Sequence, residues 1–316
     1  MTAATAAIAK GLLTYVVPSR LYNRSEGRTL SARYCYSVFL RHLVMLDRVG
    51  APTDPRVVAE IGPGASIGAG LAALLAGAET YYGFDIKAYH HGPRTAAVFD
   101  ELVALFRART AVPDERELPN IKPVLDDHRF PGHALTEARL ARALAPERVA
   151  RLRWALTEGG SDPASPITYR APWFEAAQIR PGTVDWIFSQ AVMEHVDDLD
   201  ATYRACRAWL GPKGVMSHQI DFKSHGTAEA WNGHWAYSDT AWRLVRGARL
   251  YLVNRQPHSA HRAALARAGF EILLDLPVVR RDGLPRQRLA PRYRALDDAD
   301  LATAGAFMIA RPGNRS

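Results

Sequence analysis

Val57-Val58-Ala59-Glu60-Ile61-Gly62-Pro63-Gly64 is the stretch whose reading decides the fold, taken with Tyr81-Tyr82-Gly83-Phe84-Asp85 downstream. An apolar run leads into an acid, then into glycines in a turn, then into a run rich in alanine and leucine. About twenty residues later a second short apolar run ends in a carboxylate. This is the layout of a nucleotide-binding strand–turn–helix–strand unit. Glycine lets backbone approach a ligand closely, and the helix expected from Ser66 offers unpaired amides at its start. Asp85, alone at the end of the second strand, has the chemistry to accept hydrogen bonds from two ribose hydroxyls.

Alternation of types continues outward from this unit. The pattern predicts a strand over 57–61, a helix over 66–77 and a strand over 81–85. Later it predicts a strand over 184–189, a helix over 197–210 and a strand over 215–221. In that helix Leu199, Tyr203, Cys206 and Leu210 share one face. Gly211-Pro212-Lys213-Gly214 reads as a helix stop and turn. Strand–helix alternation implies a mainly parallel sheet covered on both faces. Ahead of it, residues 30–49 carry Leu30, Tyr34, Val38, Leu43, Leu46 and Val49 at helical spacing, and Gly50, Pro52 and Pro55 end that helix. Residues 1–54 are therefore read as an N-terminal helical extension. Residues 87–166 have helical pattern without a strand, too long for a simple crossover, and read as an insertion serving as lid, substrate wall or packing. Strands are expected over 271–279 and 305–310.

The chain has 316 residues, 48% of them hydrophobic and 23% charged, ordinary figures for a globular protein. One elaborated domain over 55–316 is the expectation. No apolar run reaches the roughly 20 residues a membrane span needs. Thr2 to Ala9 is alanine-rich and lacks the basic start of a secretion signal. Cys35 and Cys206 lie far apart without metal-type spacing, as expected of buried thiols in a reducing compartment. A cytoplasmic location follows as an expectation. The net charge of +8 comes from arginine, densest at Arg280, Arg281, Arg286, Arg288, Arg292 and Arg294. That cluster reads as a solvated loop in preference to an anion-binding surface, and no aromatic-and-basic signature points to nucleic acid.

The two trains together resemble the class I S-adenosylmethionine-dependent methyltransferases. The matching segments are Glu60-Ile61-Gly62-Pro63-Gly64, Asp85, Val184-Asp185-Trp186-Ile187-Phe188-Ser189-Gln190-Ala191-Val192-Met193-Glu194-His195-Val196 and Leu210-Gly211-Pro212-Lys213-Gly214-Val215. Order and spacing agree over approximately residues 55–310. The resemblance implies a Rossmann-like, doubly wound α/β fold, with a mainly parallel seven-stranded sheet and an antiparallel C-terminal strand. It implies S-adenosylmethionine as cofactor. Gly62, Pro63 and Gly64 would admit its methionine part, with Glu60 holding the turn or the amino group. Asp85 would take the ribose hydroxyls, Ile86 would lie beside the adenine, and Gln190 would flank the sulfonium. The chain departs from the family after its third strand: Ile167-Thr168-Tyr169 continues into Arg170-Ala171-Pro172-Trp173 with no acid for the adenine amine. Backbone near Ala171 would serve instead.

Residues 218–226, 231–235 and 251–255 resemble bacterial methyltransferases associated with polysaccharide and glycan biosynthesis. A sugar hydroxyl is barely acidic, so methylating it calls for a base or a metal. Asp221 and His225 suit a base dyad, and His195 is a further candidate, each with a structural alternative. His234 and Trp235 suit an acceptor pocket or a loop anchor, and Asn254 and Arg255 suit polar positioning or a turn cap. Asp126-Asp127-His128 and Asp197-Asp198 carry ligand-type side chains without metal-specifying spacing, and no metal is expected. Asp197 and Asp198 also stand where they would cap a helix. The leading expectation is an O-methyltransferase acting on a sugar or glycan hydroxyl, its partner a small-molecule or glycan acceptor. The alternatives are a phenol or amine methyltransferase, a dinucleotide oxidoreductase, or a non-catalytic cofactor-binding module. Association into a homo-oligomer is left open.

Overall fold

The computed structural model describes residues 3–18, 28–89, 93–157, 162, 164–173, 177 and 179–313. In chain order its elements are α1 (Ala3–Leu13), α2 (Ala32–Arg48), β1 (Val57–Ile61), α3 (Gly68–Leu75), β2 (Thr80–Phe84), α4 (Pro93–Arg107), α5 (Glu137–Ala143), α6 (Pro146–Thr157) and β3 (Ile167–Arg170). They continue as β4 (Val184–Gln190), α7 (Leu199–Trp209), β5 (Leu210–Asp221), α8 (Asp239–Arg246), α9 (His258–Arg267), β6 (Phe270–Val279), α10 (Asp298–Ala302) and β7 (Thr303–Pro312). One mixed, mainly parallel sheet takes the strands in the order β3-β2-β1-β4-β5-β7-β6. β1 runs parallel to both β2 and β4, and β2 parallel to β3. The expected Rossmann-like sheet, the helical extension ahead of it and the helical insertion after β2 are all present.

The chain divides into two compact units. The first holds residues 1–24, 191–203 and 218–308; the second holds 25–190, 204–217 and 309–316. In the second unit, the apolar run of β1 is buried almost throughout, as a strand covered on both faces must be. α3 is buried all round, and its glycines explain how it fits. A Cβ on Gly70 would stand 2.0 Å from Cε2 of Tyr81, and one on Gly68 would stand 2.4 Å from Sγ of Cys35. The helix lies so close to β2 and α2 that only hydrogen fits at those positions. α2 begins at Ser31, whose hydroxyl accepts the amide of Tyr34. Its buried face carries Cys35, Val38, Phe39, Leu43 and Leu46. Phe84, Trp173 and Trp209 pack together, with Phe84 and Trp209 stacked at 4.9 Å.

One boundary differs from expectation. Gly211-Pro212-Lys213-Gly214 belongs to β5, which starts at Leu210 directly after α7. The glycines serve a close approach: a Cβ on Gly214 would stand 2.8 Å from the Val184 carbonyl oxygen, and one on Gly211 3.2 Å from that of Gly182.

In the first unit, α1 packs on α8. Gly247, at φ +58°, lies so close to Gly11 that an added Cβ would sit 2.1 Å from the Gly11 carbonyl. Trp242, Val245, Tyr237 and Val253 form the core there with Ala7. A second cluster gathers Trp231, Trp235, Leu289, Tyr293 and Ala304. Much of the arginine-rich segment is tied back within this unit. Arg280 pairs with Asp282, Arg292 with Asp239 and Arg286 with Asp298, and Arg294 donates to the Leu289 carbonyl. Cys35 and Cys206 are both buried and free. No helix of the described residues is long and apolar enough to cross a membrane.

Candidate functional site

The glycine turn after β1 is a braced structure. Gly62 and Gly64 both take left-handed backbone, with φ of 71° and 72°, around the buried Pro63. Gly62 donates its amide to the Phe84 carbonyl at 2.7 Å. Gly64 donates its amide to Oδ2 of Asp85 at 3.0 Å, while the Lys87 amide reaches Oδ1 at 3.3 Å. A carboxylate offers about four lone-pair sites, so Asp85 keeps acceptor capacity beyond these two bonds. Asp85 is 6% exposed, and burial raises its pKa against the pull of the Gly64, Lys87 and Ile86 amides. Ile86, immediately after it, leaves an apolar side chain 36% exposed. Thr29 closes the far side: its hydroxyl accepts the Ser66 amide at 3.0 Å, and its carbonyl accepts the hydroxyl of Ser66.

Glu60 does not project toward a ligand. It is 4% exposed, its Oε2 accepts the Tyr81 hydroxyl at 2.7 Å, and the Gly70 amide also bonds to it. It therefore ties β1 to β2 and to α3, the turn-holding alternative of its two expected roles. Burial pushes this carboxyl up to about 8, against the lowering effect of those bonds. Ala171 follows β3, and Trp173 beyond it donates its amide to the Asp85 carbonyl at 3.2 Å.

Gln190 ends β4 and is held by a residue that the sequence reading did not single out. Its Oε1 lies 3.1 Å from Nε2 of His42 on α2, and its amide nitrogen donates to the Lys122 carbonyl at 3.3 Å. Nδ1 of His42 lies 2.7 Å from Oγ of Ser217, which also accepts the Trp186 indole N–H at 2.9 Å. Burial holds His42 near a pKa of about 4, hence neutral, even though its bond to Gln190 acts the other way. This buried relay fixes which end of the Gln190 amide points where. The only sequence signal for it was a polar residue on an otherwise apolar helix face.

In the first unit, the segment after β4, the end of β5 and the segment after it bring together Glu194, His195, Asp221 and His225. Nε2 of His225 stands 3.6 Å from Oδ2 of Asp221. The rings of His195 and His225 meet edge to face at 5.0 Å, and Tyr251 packs on His195 at 5.6 Å. Asp221 is shared with Lys223, whose Nζ lies 3.0 Å from the same oxygen. Burial would raise Asp221, but His225 and Lys223 outweigh it and hold the carboxyl down at about 2. For His225 burial acts downward, yet Asp221 and Glu194 win and raise it. Burial and the neighbouring His225 lower His195 to about 4, against its bond to the Leu252 backbone. Glu194 is fully buried with no side-chain partner or well-formed hydrogen bond among the described residues, and burial raises it to about 8 against the pull of His225 and of the Glu194 and Asp221 amides. Ala191 and His225 both adopt positive φ without being glycine, at 55° and 46°. Such backbone costs about 1–2 kcal/mol per residue and tends to gather at functional sites.

The four residues read as acceptor-binding all carry contacts within the first unit. Asn254 spends its side chain on the turn carrying Glu194: Nδ2 donates to the Met193 and Val196 carbonyls, and Oδ1 accepts the Gln256 amide. Arg255 is 4% exposed, donates to the Tyr237 carbonyl and Asp239, and stacks over Trp242 and Tyr293. Trp235 is fully buried, stacks on Tyr293 and donates its N–H to the Arg255 carbonyl. His234 is 1% exposed beside Trp235 and Trp242, and burial lowers its pKa to about 3. All four hold loops in place. The Asp126–His128 segment forms ion pairs: Arg48 with Asp126, Arg129 with Asp127, and His128 with Glu115. Asp197 takes a bidentate bond from Arg246, and Asp198 caps α7 by accepting the Ala201 amide.

This sheet order, with a glycine turn after β1 latched to a carboxylate after β2, defines a Rossmann-like α/β protein. A family model described as a methyltransferase domain matches residues 39–274. The chain belongs to the class I S-adenosylmethionine-dependent methyltransferases. Among solved structures it is similar to an S-adenosylmethionine-dependent methyltransferase from Mesorhizobium loti, at 15% identity over 85% of this chain and 95% of that one, with a TM-score of 0.40. It is also similar to Haemonchus contortus phosphoethanolamine N-methyltransferase 2 in complex with S-adenosyl-L-methionine, at 13% identity over 94% of this chain and 60% of that one, TM-score 0.44. No curated protein sequence matches it.

Proposed function

We propose that the protein is an O-methyltransferase whose acceptor is a sugar or glycan hydroxyl. The observation that carries this reading is the Asp221–His225 pair, 3.6 Å apart on the segment leaving β5. A phenol or amine needs little help to accept a methyl group, whereas a sugar hydroxyl needs a partner for its proton. A carboxylate-backed imidazole is such a partner. His195 packs against the same ring and would keep His225 oriented.

The residues around the glycine turn fit S-adenosylmethionine. Asp85 would take ribose hydroxyls on its remaining lone pairs, Ile86 would offer an apolar face to the adenine, and backbone near Ala171 would serve the adenine edge. Gly62, Pro63 and Gly64 would admit the methionine part, with Glu60 bracing the turn from behind. Gln190, fixed by His42, would flank the sulfonium. When bound, the cofactor supplies an electrophilic methyl carbon on a positively charged sulfur. His225 would receive the hydroxyl proton as the acceptor oxygen gains the methyl group, and Asp221 would stabilise the resulting imidazolium. The products are then a methyl ether and S-adenosylhomocysteine.

Screening carbohydrate, phenol and amine acceptors with methyl-labelled S-adenosylmethionine tests the reading. Label is expected in a glycan hydroxyl, with Asp221→Asn and His225→Asn each lowering turnover by about 100-fold or more, the scale of acid–base assistance. Label carried only by phenols or amines, or full turnover in both variants, would contradict it.

A further inference from the structure

Glu194 presents a chemical problem that the methyl-transfer reading leaves unused. Its side chain is fully buried, neither oxygen has a side-chain partner or a well-formed hydrogen bond among the described residues, and only the backbone amides of Glu194 and Asp221 pull on it. Buried polar groups are nearly always partnered, and a buried carboxylate without a partner is costly. His195 repeats the pattern. Its Nδ1 is buried without a partner, while the ring is bonded to the Leu252 backbone. A ligating histidine is usually held in this way, with one nitrogen fixed by a carbonyl and the other left with a lone pair.

One donor atom each from Glu194, His195 and His225 lie within 4.8 Å of one another. Metal–ligand bonds of about 2.0–2.2 Å place two donors at most about 4.4 Å apart, so small side-chain rotations close the set. We propose that Glu194, His195 and His225 form a binding site for a divalent transition metal. Asp221, 3.6 Å from Nε2 of His225, is the carboxylate that orients a ligating imidazole. Asn254 holds the Glu194–His195 turn through the Met193 and Val196 carbonyls. Two imidazoles and one carboxylate suit zinc, cobalt, iron or manganese, and they disfavour magnesium and calcium, which prefer all-oxygen shells. Three protein ligands leave coordination positions open for a hydroxyl oxygen, whose pKa a metal lowers. The metal would then acidify the acceptor hydroxyl in place of His225, and the proton would leave to solvent before the oxygen gains the methyl group. The site itself stands independently of what that acceptor is.

The test is a metal titration of the full chain, freed of any affinity tag and stripped with chelator. Co²⁺ is followed by visible absorption and Zn²⁺ by calorimetry and by competition against Co²⁺. One Co²⁺ per chain with ligand-field bands is expected, displaced by Zn²⁺ and not by an equal concentration of Mg²⁺. His225→Asn and Glu194→Gln are expected to weaken Co²⁺ binding by about 100-fold or more, and His133→Asn, altering an exposed histidine outside the set, to leave it unchanged. Asparagine tolerates the left-handed backbone of His225, so that variant decides the matter even if Glu194→Gln fails to fold. Absence of bands, equal displacement by Mg²⁺, or undiminished binding in His225→Asn would overturn the proposal.

Discussion

Asp85 was legible in the sequence because it stands alone at the end of a short apolar strand, the one place where a carboxylate has little structural reason to be. Its neighbourhood shows a second duty, holding the Gly64 amide. Removing it should therefore act on the ligand and on the turn together. Hydrogen bonds to a charged group are worth about 1.5–3 kcal/mol each. Asp85→Ala should weaken S-adenosylhomocysteine binding by about 10- to 100-fold in calorimetry, with Asp85→Asn intermediate; unchanged affinity in both would remove the ribose assignment. Glu60 makes a different prediction. Its folded pKa, about 8, lies above the ordinary 4.5, so the native state holds a proton there that the unfolded chain releases. The resulting stabilisation is fully present below the unfolded value and is lost as pH rises through about 8. The melting temperature should fall between about pH 5 and about pH 8, and Glu60→Gln should flatten that slope; an identical slope would contradict the assignment. Asn254, Arg255, His234 and Trp235 were less legible. Polar and aromatic residues in loops read equally as a pocket or as a core. Only contacts across the fold, such as Asn254 with Met193 61 residues away, separate the two.

At the scale of elements, the strands and α7 followed from apolar periodicity, because a buried parallel strand leaves little freedom in composition. The helix expected over 66–77 was placed well but begins at Gly68. Its decisive property, closeness to β2 and α2, rests on Gly68 and Gly70, which look like ordinary breaks in a helical pattern. Gly70→Ala would drive a methyl group to 2.0 Å from the Tyr81 ring and push that ring off Glu60. A loss of about 1–3 kcal/mol is expected from overpacking, read from the midpoint of urea unfolding; an unchanged midpoint would mean that α3 shifts freely. The tie between α2 and β4 is open to a similar check. His42→Leu should cost about 1–3 kcal/mol by leaving buried Ser217 and Gln190 partners unmatched, and it should raise the KM for S-adenosylmethionine. A stable variant with unaltered KM would show that the relay does not position Gln190.

For the whole molecule, the sequence yielded the order of elements and the family, since four motifs in sequence order constrain topology far more than any one of them. It did not show that residues 1–24 belong with 191–203 and 218–308 in one compact unit while residues 25–190, 204–217 and 309–316 build the other. That division depends on long-range packing such as α1 on α8, where Gly11 and Gly247 let two backbones approach, and neither glycine announces a partner more than two hundred residues away. Nor did ligand spacing reveal Glu194, His195 and His225 as a set, because the third lies on a different segment from the first two. The central claim is that the braced glycine turn and Asp85 serve S-adenosylmethionine. Isothermal calorimetry of the intact protein with S-adenosylhomocysteine and, separately, with NAD tests it most directly. The account predicts one S-adenosylhomocysteine bound per chain, weakened in Asp85→Ala, and no heat from NAD; saturable binding of NAD with none of S-adenosylhomocysteine would contradict it.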